Sequence, residues 1–142
     1  MTMKRLLGLD IGGRRIGVAV SDELGMIASP IATIDARRDV ASELRTLVGK
    51  YGIRTIVVGL PIGMSGKEGP QATEVRAVAE QLGEQLEIEI VYSDERLSSA
   101  VANQALIGQG TRREKRKQQI DAMAAAVILQ GYLDNQRWKS GK

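Results

Sequence analysis

The chain has 142 residues, of which 43% are hydrophobic, 3% aromatic and 26% charged. This composition fits one folded domain, expected over residues 1–136 and followed by a short flexible basic tail at 137–142. Cysteine and histidine are both absent, which excludes disulfides, thiolate zinc sites and histidine-based triads. Any catalysis must therefore use carboxylates, hydroxyls, amines or a bound metal.

Charge and hydropathy limit the location and partners of the protein. No apolar run approaches the ~20 residues of a membrane span, so we expect a cytoplasmic protein without membrane contact. The formal net charge is only +3, but basic residues crowd into the segment GTRREKRKQQ. This local patch indicates an anionic partner more strongly than the modest total charge does.

Three antiparallel strands are predicted at the start of the chain: RLLGLDI, RIGVAVSD and GMIASPIATI. A helix in VASELRTLVGKY and a strand in IRTIVVGLP follow, and IGMSGKEGPQ indicates a glycine-rich loop. The remaining segments predict a helix in ATEVRAVAEQLGEQL, a strand in IEIVYSDE and a helix in SSAVANQALIGQG. This alternation predicts an α/β protein.

The strongest helical pattern lies in QIDAMAAAVILQGYLDNQ, directly after the basic segment, which is predicted to be a loop. One apolar stripe on this helix is expected to contain Ile120, Met123, Ala124, Val127, Ile128 and Gly131. Asp121 falls on the border of that stripe, so its carboxylate can face the sheet.

Three acidic residues stand at junctions between apolar elements: Asp10, Glu95 and Asp121. If they converge they repel, by about 4 kcal/mol per pair at ~4 Å and an effective dielectric of ~20, unless they bind a cation or protons. Each has a structural alternative. Asp10 fits a turn residue, Asp121 an acid favoured by a helix N-terminus, and Glu95 an ion pair with Arg96.

Four segments together resemble the successive blocks of the YqgF family, also called RuvX: LGLDIGGRRIGVAVSD, VVGLPIGMSGKEGPQA, SDERLSSAVANQAL and QQIDAMAAAVILQGYL. The resemblance covers nearly the whole chain. It implies a ribonuclease H-like fold, with a mixed five-stranded sheet and helices on both faces. It also implies a nuclease that trims the 5′ end of pre-16S ribosomal RNA, with the RuvC Holliday junction resolvases as relatives.

The resemblance assigns catalytic and metal-binding roles to Asp10, Glu95 and Asp121, which would hold Mg²⁺ or Mn²⁺. Asp94 is the nearest candidate for a fourth acid, although a strand-end cap explains it as well. The chain departs from the family pattern in its glycine-rich loop, where Gly63 and Ser65 replace the common Asn and Asp. These changes affect contacts between the loop and the substrate, not the proposed metal ligands.

Substrate binding is expected near the acids. The small Gly12 and Gly13 would let a phosphodiester approach closely, and cationic side chains would neutralise backbone phosphates. Because the chain has few aromatic residues, recognition should depend on shape and backbone more than on base stacking. The cations assigned to this role are Arg14, Arg15, Lys67, Arg96, Arg112, Arg113, Arg116 and Lys117.

Three alternatives remain open from the sequence. The motif GLDIGG also resembles the first phosphate loop of sugar kinases and actin-like ATPases, although their nucleotide lies between two such domains. The basic segment alone would suffice for a nucleic-acid-binding module without catalysis. Within the nuclease interpretation, pre-16S RNA is favoured over branched DNA, and the chain is expected to be a monomer or a homodimer.

Overall fold

The structure is a computed structural model that describes residues 5–61, 69–94 and 113–139. Its elements, in chain order, are β1 (Arg5–Ile11), β2 (Arg15–Ser21), β3 (Ala28–Asp35), α1 (Val40–Tyr51), β4 (Ile53–Leu60), α2 (Pro70–Leu86), β5 (Glu89–Asp94) and α3 (Arg113–Lys139). The predicted bounds of the first strand and of the first helix are confirmed. The helix predicted within residues 98–110 lies outside the described residues.

The five strands form one mixed sheet in the order β3-β2-β1-β4-β5. β1 pairs antiparallel with β2 and parallel with β4, while β4 also pairs parallel with β5. β1 is therefore the central strand, and the carboxyl ends of the parallel strands β1, β4 and β5 lie at the same end of the sheet.

Local signals explain where the helices begin and end. Asp39 caps α1 by accepting a hydrogen bond from the amide of Ser42, and Gly52 ends it in the left-handed conformation at φ 64°. α2 begins at Pro70, a residue whose fixed φ suits the first helical turn. Its last residue is followed by Glu87, which also adopts a left-handed conformation.

Helices cover both faces of the sheet, as predicted. α1 and α2 pack against one face, where Leu7, Leu9 and Ile56 are fully buried. α3 packs against the other, through Ala125 and Leu129. Alternate residues along each strand therefore face different helices.

Two predictions about α3 are wrong. The basic segment is not a loop from Arg113 onwards, because α3 begins at that residue. The helix also continues to Lys139, beyond the end predicted from the apolar pattern. Of the predicted stripe, Ala124 and Ile128 are buried, but Gly131 is exposed.

The sheet-facing surface of α3 is built largely from alanine because the sheet beneath it contains glycine. A side chain at Gly8 would lie 2.8 Å from Cβ of Leu129. Small residues on both partners allow the helix and the strands to approach closely. A stripe chosen by hydrophobicity alone gives too little weight to these alanines.

None of the described helices is long and apolar enough to cross a membrane.

Candidate nuclease site

Asp10 lies on the central strand and on the face of the sheet that α3 covers. Its neighbours Leu9 and Ile11 pack on the α1 and α2 side, whereas Gly8 contacts α3. Strand alternation consequently directs Asp10 towards α3, and the residue is half-buried there. Its direct partner across the antiparallel ladder is Gly17 of β2.

α3 approaches the sheet very closely at Gly17. A Cβ atom built on Gly17 would overlap the main-chain carbonyl of Asp121. Because paired residues on adjacent strands share a face, Asp10 and the main chain of Asp121 are both immediate neighbours of Gly17. The structure thus brings together two of the three predicted acids, which are 111 residues apart in the sequence.

Arg15 connects the start of β2 to α3. Its Nε atom donates a hydrogen bond to Oδ2 of Asp121 over 2.6 Å, and the two side chains are 33% and 23% exposed. This is a charge-assisted contact in a partly desolvated position. It orients the carboxylate of Asp121 on the side of the helix that faces the strands.

The turn between β1 and β2 is tight, and it presents Gly12, Gly13 and Arg14 at the surface. The amide of Gly12 donates to the carbonyl of Arg15 over 3.0 Å, which closes the hairpin. A Cβ atom on Gly12 would lie 2.9 Å from that carbonyl, so the fold itself restricts this position. One on Gly13 would meet nothing within 4 Å, so packing does not require glycine there.

Most of the other predicted site residues lie in parts of the chain that the structure does not describe. Lys67, Glu95, Arg96 and Arg112 lie outside the described residues, as do Gly63 and Ser65 of the glycine-rich loop. Asp94 is the last residue of β5 and pairs with Leu60 of β4. Within residues 5–61, 69–94 and 113–139, no three acidic side chains are grouped closely enough to hold a metal ion.

Arg113, Arg116 and Lys117 lie in the first two turns of α3, before Asp121 on the same helix. Their place on a helix corrects the predicted loop and gives the basic residues a regular spacing. Arg113 and Lys117 are four residues apart in the sequence. Arg116 precedes Asp121 by five residues.

Sequence reasoning missed the role of Gly17 and a charged pair at the end of β3. The tight turn over Gly13 and Arg14 sets a register in which residue 17 lies opposite residue 10, so the strand pattern contained the first signal. The second signal was the sequence DARRD, in which two arginines follow a strand. Asp35 accepts hydrogen bonds from the main chain and the guanidinium of Arg37.

Arg37 also changes the acidity of Asp35. The side-chain hydrogen bond from the Arg37 guanidinium, and then the one from its amide, lower the pKa of Asp35 from 3.8 to about 2. The carboxylate therefore stays charged across the physiological range. Arg37 is in turn held by this carboxylate, with Nη2 lying 3.0 Å from Oδ2.

A protein-family model described as RuvX, Holliday junction resolvase, matches residues 4–135. The chain belongs to the RuvX family. This confirms the resemblance found in the sequence blocks. It also favours the RuvX interpretation over a sugar kinase or an actin-like ATPase.

Two RuvX relatives carry the name "Putative pre-16S rRNA nuclease". The protein from Geobacillus kaustophilus is 47% identical over 137 residues, covering 94% of this chain and 99% of the relative. The one from Bacillus cytotoxicus is 45% identical over 135 residues, covering 92% and 98%. The residues matched by the family model, 4–135, include both Asp10 and Asp121.

Solved structures confirm the fold. Thermus thermophilus RuvC in complex with a Holliday junction substrate has a TM-score of 0.57 at 10% identity, over 95% of this chain and 96% of that chain. Fowlpox virus resolvase with Holliday junction DNA has a TM-score of 0.58 at 12% identity, over 93% and 98%. The RuvX chain therefore has the ribonuclease H-like fold of the RuvC-like resolvases.

Proposed function

We propose that this RuvX chain is a divalent-metal-dependent nuclease that hydrolyses phosphodiester bonds at the 5′ end of pre-16S rRNA in the cytoplasm. The observation that carries the proposal is the convergence of Asp10 and Asp121 around Gly17. A glycine at this point has a structural cost in a strand, and its role is to let the helix bring the second acid to the first.

The donor set suits a hard divalent cation. Asp10 and Asp121 supply carboxylate oxygens, which Mg²⁺ and Mn²⁺ prefer over other protein ligands. Glu95 directly follows Asp94, the last residue of β5, in the sequence, and β5 is parallel to β4, which is in turn parallel to β1. We assign these three acids as metal ligands. When bound, the metal would activate water and stabilise negative charge on the phosphate oxygens.

The surrounding residues have separate tasks. Arg15 holds the carboxylate of Asp121 in place and is close enough to contact a phosphate at the same site. Gly13 leaves open space at the tip of the hairpin, where Arg14 is exposed. We assign Gly12, Gly13 and Arg14 to the approach of the scissile strand. The basic start of α3 would neutralise phosphates farther along it.

The substrate assignment rests on the relatives, whose printed name specifies pre-16S rRNA. The alternative substrate is branched DNA, because the family model is described as a Holliday junction resolvase and the structural neighbours were solved with such junctions. A nuclease that cuts junctions symmetrically needs two sites, and a homodimer would supply them. The prediction of a monomer or a homodimer stays a prediction.

The decisive experiment compares cleavage of a pre-16S RNA fragment and a four-way DNA junction by the purified protein, with Mg²⁺, with Mn²⁺ and with EDTA. We expect metal-dependent cleavage of the RNA and its loss in Asp10→Asn. The matched control is Asp134→Asn, which alters an exposed acid near the other end of α3. Cleavage of the junction alone would replace RNA by DNA as the substrate, and binding without cleavage of either would support a non-catalytic module.

A further inference from the structure

A cleft of about 450 Å³ opens beside the candidate site, at the outer edge of the sheet. Four arginines line it: Arg14, Arg15, Arg37 and Arg38. They come from two separate segments, the β1–β2 turn and the end of β3. The cleft volume lies within the range of small-ligand sites, ~300 to 1,000 Å³.

The lining chemistry restricts what the cleft can bind. Every described residue that lines it is charged except Thr33, so it offers no apolar wall for a base or a lipid chain. The lining carries four positive charges from the arginines and two negative charges from Asp35 and Glu43, so its net charge is +2. An anion with several acceptor oxygens matches this lining.

The four arginines are not equivalent. Arg15 is engaged by Asp121, and Arg37 is held by Asp35. Arg14 and Arg38 are exposed and form no ion pair with the part of the chain that the structure describes. These two cations are therefore the ones available to an incoming ligand. The pairing of Arg37 with Asp35 helps fix the chain segment that carries Arg38, whose amide also donates to the carbonyl of Asp35 over 3.0 Å.

The position of the cleft relates it to the acids. Asp10, Gly17 and Thr33 form one row across three neighbouring strands, because Gly17 pairs with both of the others. At ~4.8 Å per strand spacing, Thr33 lies about 10 Å from Asp10 along this row. Arg15 belongs to the cleft and contacts Asp121 directly. The cleft is therefore directly adjacent to the candidate site, and Arg15 belongs to both.

From this arrangement we propose that the cleft is a subsite for a backbone phosphate of the substrate strand, one or two nucleotides from the bond that is cut, bound chiefly by Arg14 and Arg38. This inference rests on the proposed nuclease function, and it adds a second set of phosphate contacts on the β3 side of the acids. Such contacts hold the strand in register without reading its sequence. RNA and DNA backbones share this chemistry.

The test measures binding without cleavage. Fluorescence anisotropy in EDTA follows a short labelled single-stranded RNA, and in parallel a DNA of the same sequence, over a series of salt concentrations. The variant is Arg14→Gln with Arg38→Gln, and a second variant replaces both residues by Lys. The control is Arg54→Gln, an exposed arginine at the start of β4 and the opposite end of the sheet.

We expect the glutamine variant to bind both nucleic acids more weakly. Its slope of log K against log salt should be shallower by roughly 1.4 to 1.8, or ~0.7 to 0.9 for each lost phosphate contact. The lysine variant should retain most of the slope, and Arg54→Gln all of it. Melting curves like that of the parent would show that the fold is intact.

The proposal would be overturned if the folded glutamine variant had the same slope of log K against log salt as the parent. It would also be overturned if Arg54→Gln reduced the slope equally, or if the parent did not bind nucleic acid at all. The proposed nuclease function fails separately, if the parent binds nucleic acid in EDTA but cleaves nothing when Mg²⁺ or Mn²⁺ is supplied. In that case a shallower slope in the glutamine variant would still support the phosphate subsite.

Discussion

Arg15 and Asp121 are 106 residues apart in the sequence and meet at 2.6 Å between Nε and Oδ2. The pair ties the start of β2 to α3 beside Asp10. It also balances the charge of one of two neighbouring acids. The structure therefore offers Asp121 a positive partner of its own, and the repulsion expected from the sequence is partly offset.

Asp10→Asn and Asp121→Asn should each reduce metal-dependent cleavage by about 100-fold or more, since each deletes a proposed ligand charge. Initial cleavage rates over a range of Mg²⁺ concentrations would measure the effect. Circular dichroism should show an intact fold in both variants. If a variant cleaves like the parent at saturating Mg²⁺, the residue replaced in it is not a metal ligand.

Asp121→Asn should also lose the attraction of Arg15, which is worth about 0.2 to 1 kcal/mol for a partly exposed pair. A double-mutant cycle with Arg15→Gln and Asp121→Asn, followed by urea unfolding, would measure the coupling directly. Because the charge is neutralised on both sides, the double variant should be more stable than the sum of the single losses predicts. Strict additivity would show that the pair contributes nothing to stability.

Gly17→Ala should destabilise the protein by about 1 to 3 kcal/mol, because its new methyl group would overlap the main chain of Asp121. Relief of this overlap requires α3 to move away from the sheet, and Asp121 would move with it. Cleavage should therefore fall even at temperatures where the variant is fully folded.

The matched control for Gly17→Ala is Gly49→Ala in α1, where a Cβ atom would meet nothing within 4 Å. That change should stabilise the protein by about 0.5 to 1 kcal/mol, because alanine restricts the unfolded chain and favours the helix. Thermal and urea unfolding of both variants would separate the two effects. Equal stability of Gly17→Ala and the parent would contradict the close approach of α3.

The Asp35–Arg37 pair should make stability depend on acid pH. The pKa of Asp35 is about 2 in the folded chain and 3.8 ordinarily, so folding favours the charged form. Its stabilising contribution is complete above the ordinary pKa and is lost as pH falls through about 2. The stability difference between the parent and Asp35→Asn should be constant above pH 5 and shrink between pH 4 and 2. A difference that persists undiminished at pH 2 would contradict the lowered pKa.

The basic start of α3 should bind the substrate backbone. Replacing Arg113, Arg116 and Lys117 by alanine should weaken the binding of RNA and DNA alike, and the salt slope should become shallower by roughly 2 to 3. Cleavage at saturating substrate should fall much less than in Asp10→Asn, because these residues would position the strand without holding metal. An unchanged slope would indicate that they form only a solvated helix start.

The sequence predicted most of the fold because each strand carries its own signals. Alternating or continuous apolar residues marked all five strands, and Gly52 marked the end of α1. The start of α3 was missed because consecutive charged residues resemble a loop, although Arg and Lys are good helix formers. The alanine surface of α3 was missed because its packing depends on glycines in distant strands.

The candidate site was predicted only in part. Asp10 and Asp121 could be named from the family blocks, but the contact of Asp121 with Arg15 depends on how far α3 lies from the sheet, which no local pattern encodes. The cleft combines residues from the β1–β2 turn with residues from the end of β3. Their proximity follows from the pairing of Arg15 with Asp35, a register that is set by the fold of three strands.

The central position of β1 has a consequence for how the protein can adapt to a substrate. β2 pairs with this strand over Leu7–Ile11 and β4 pairs with it over Arg5–Leu9, so the residues directly before Asp10 can move only if two ladders open. Hydrogen exchange of the amides of Leu7, Gly8 and Leu9, which lead directly into Asp10, should then be limited by global unfolding. An acid that follows such a segment cannot shift towards a misplaced phosphate. A nucleic-acid substrate whose backbone has the wrong curvature must therefore itself bend to be cut.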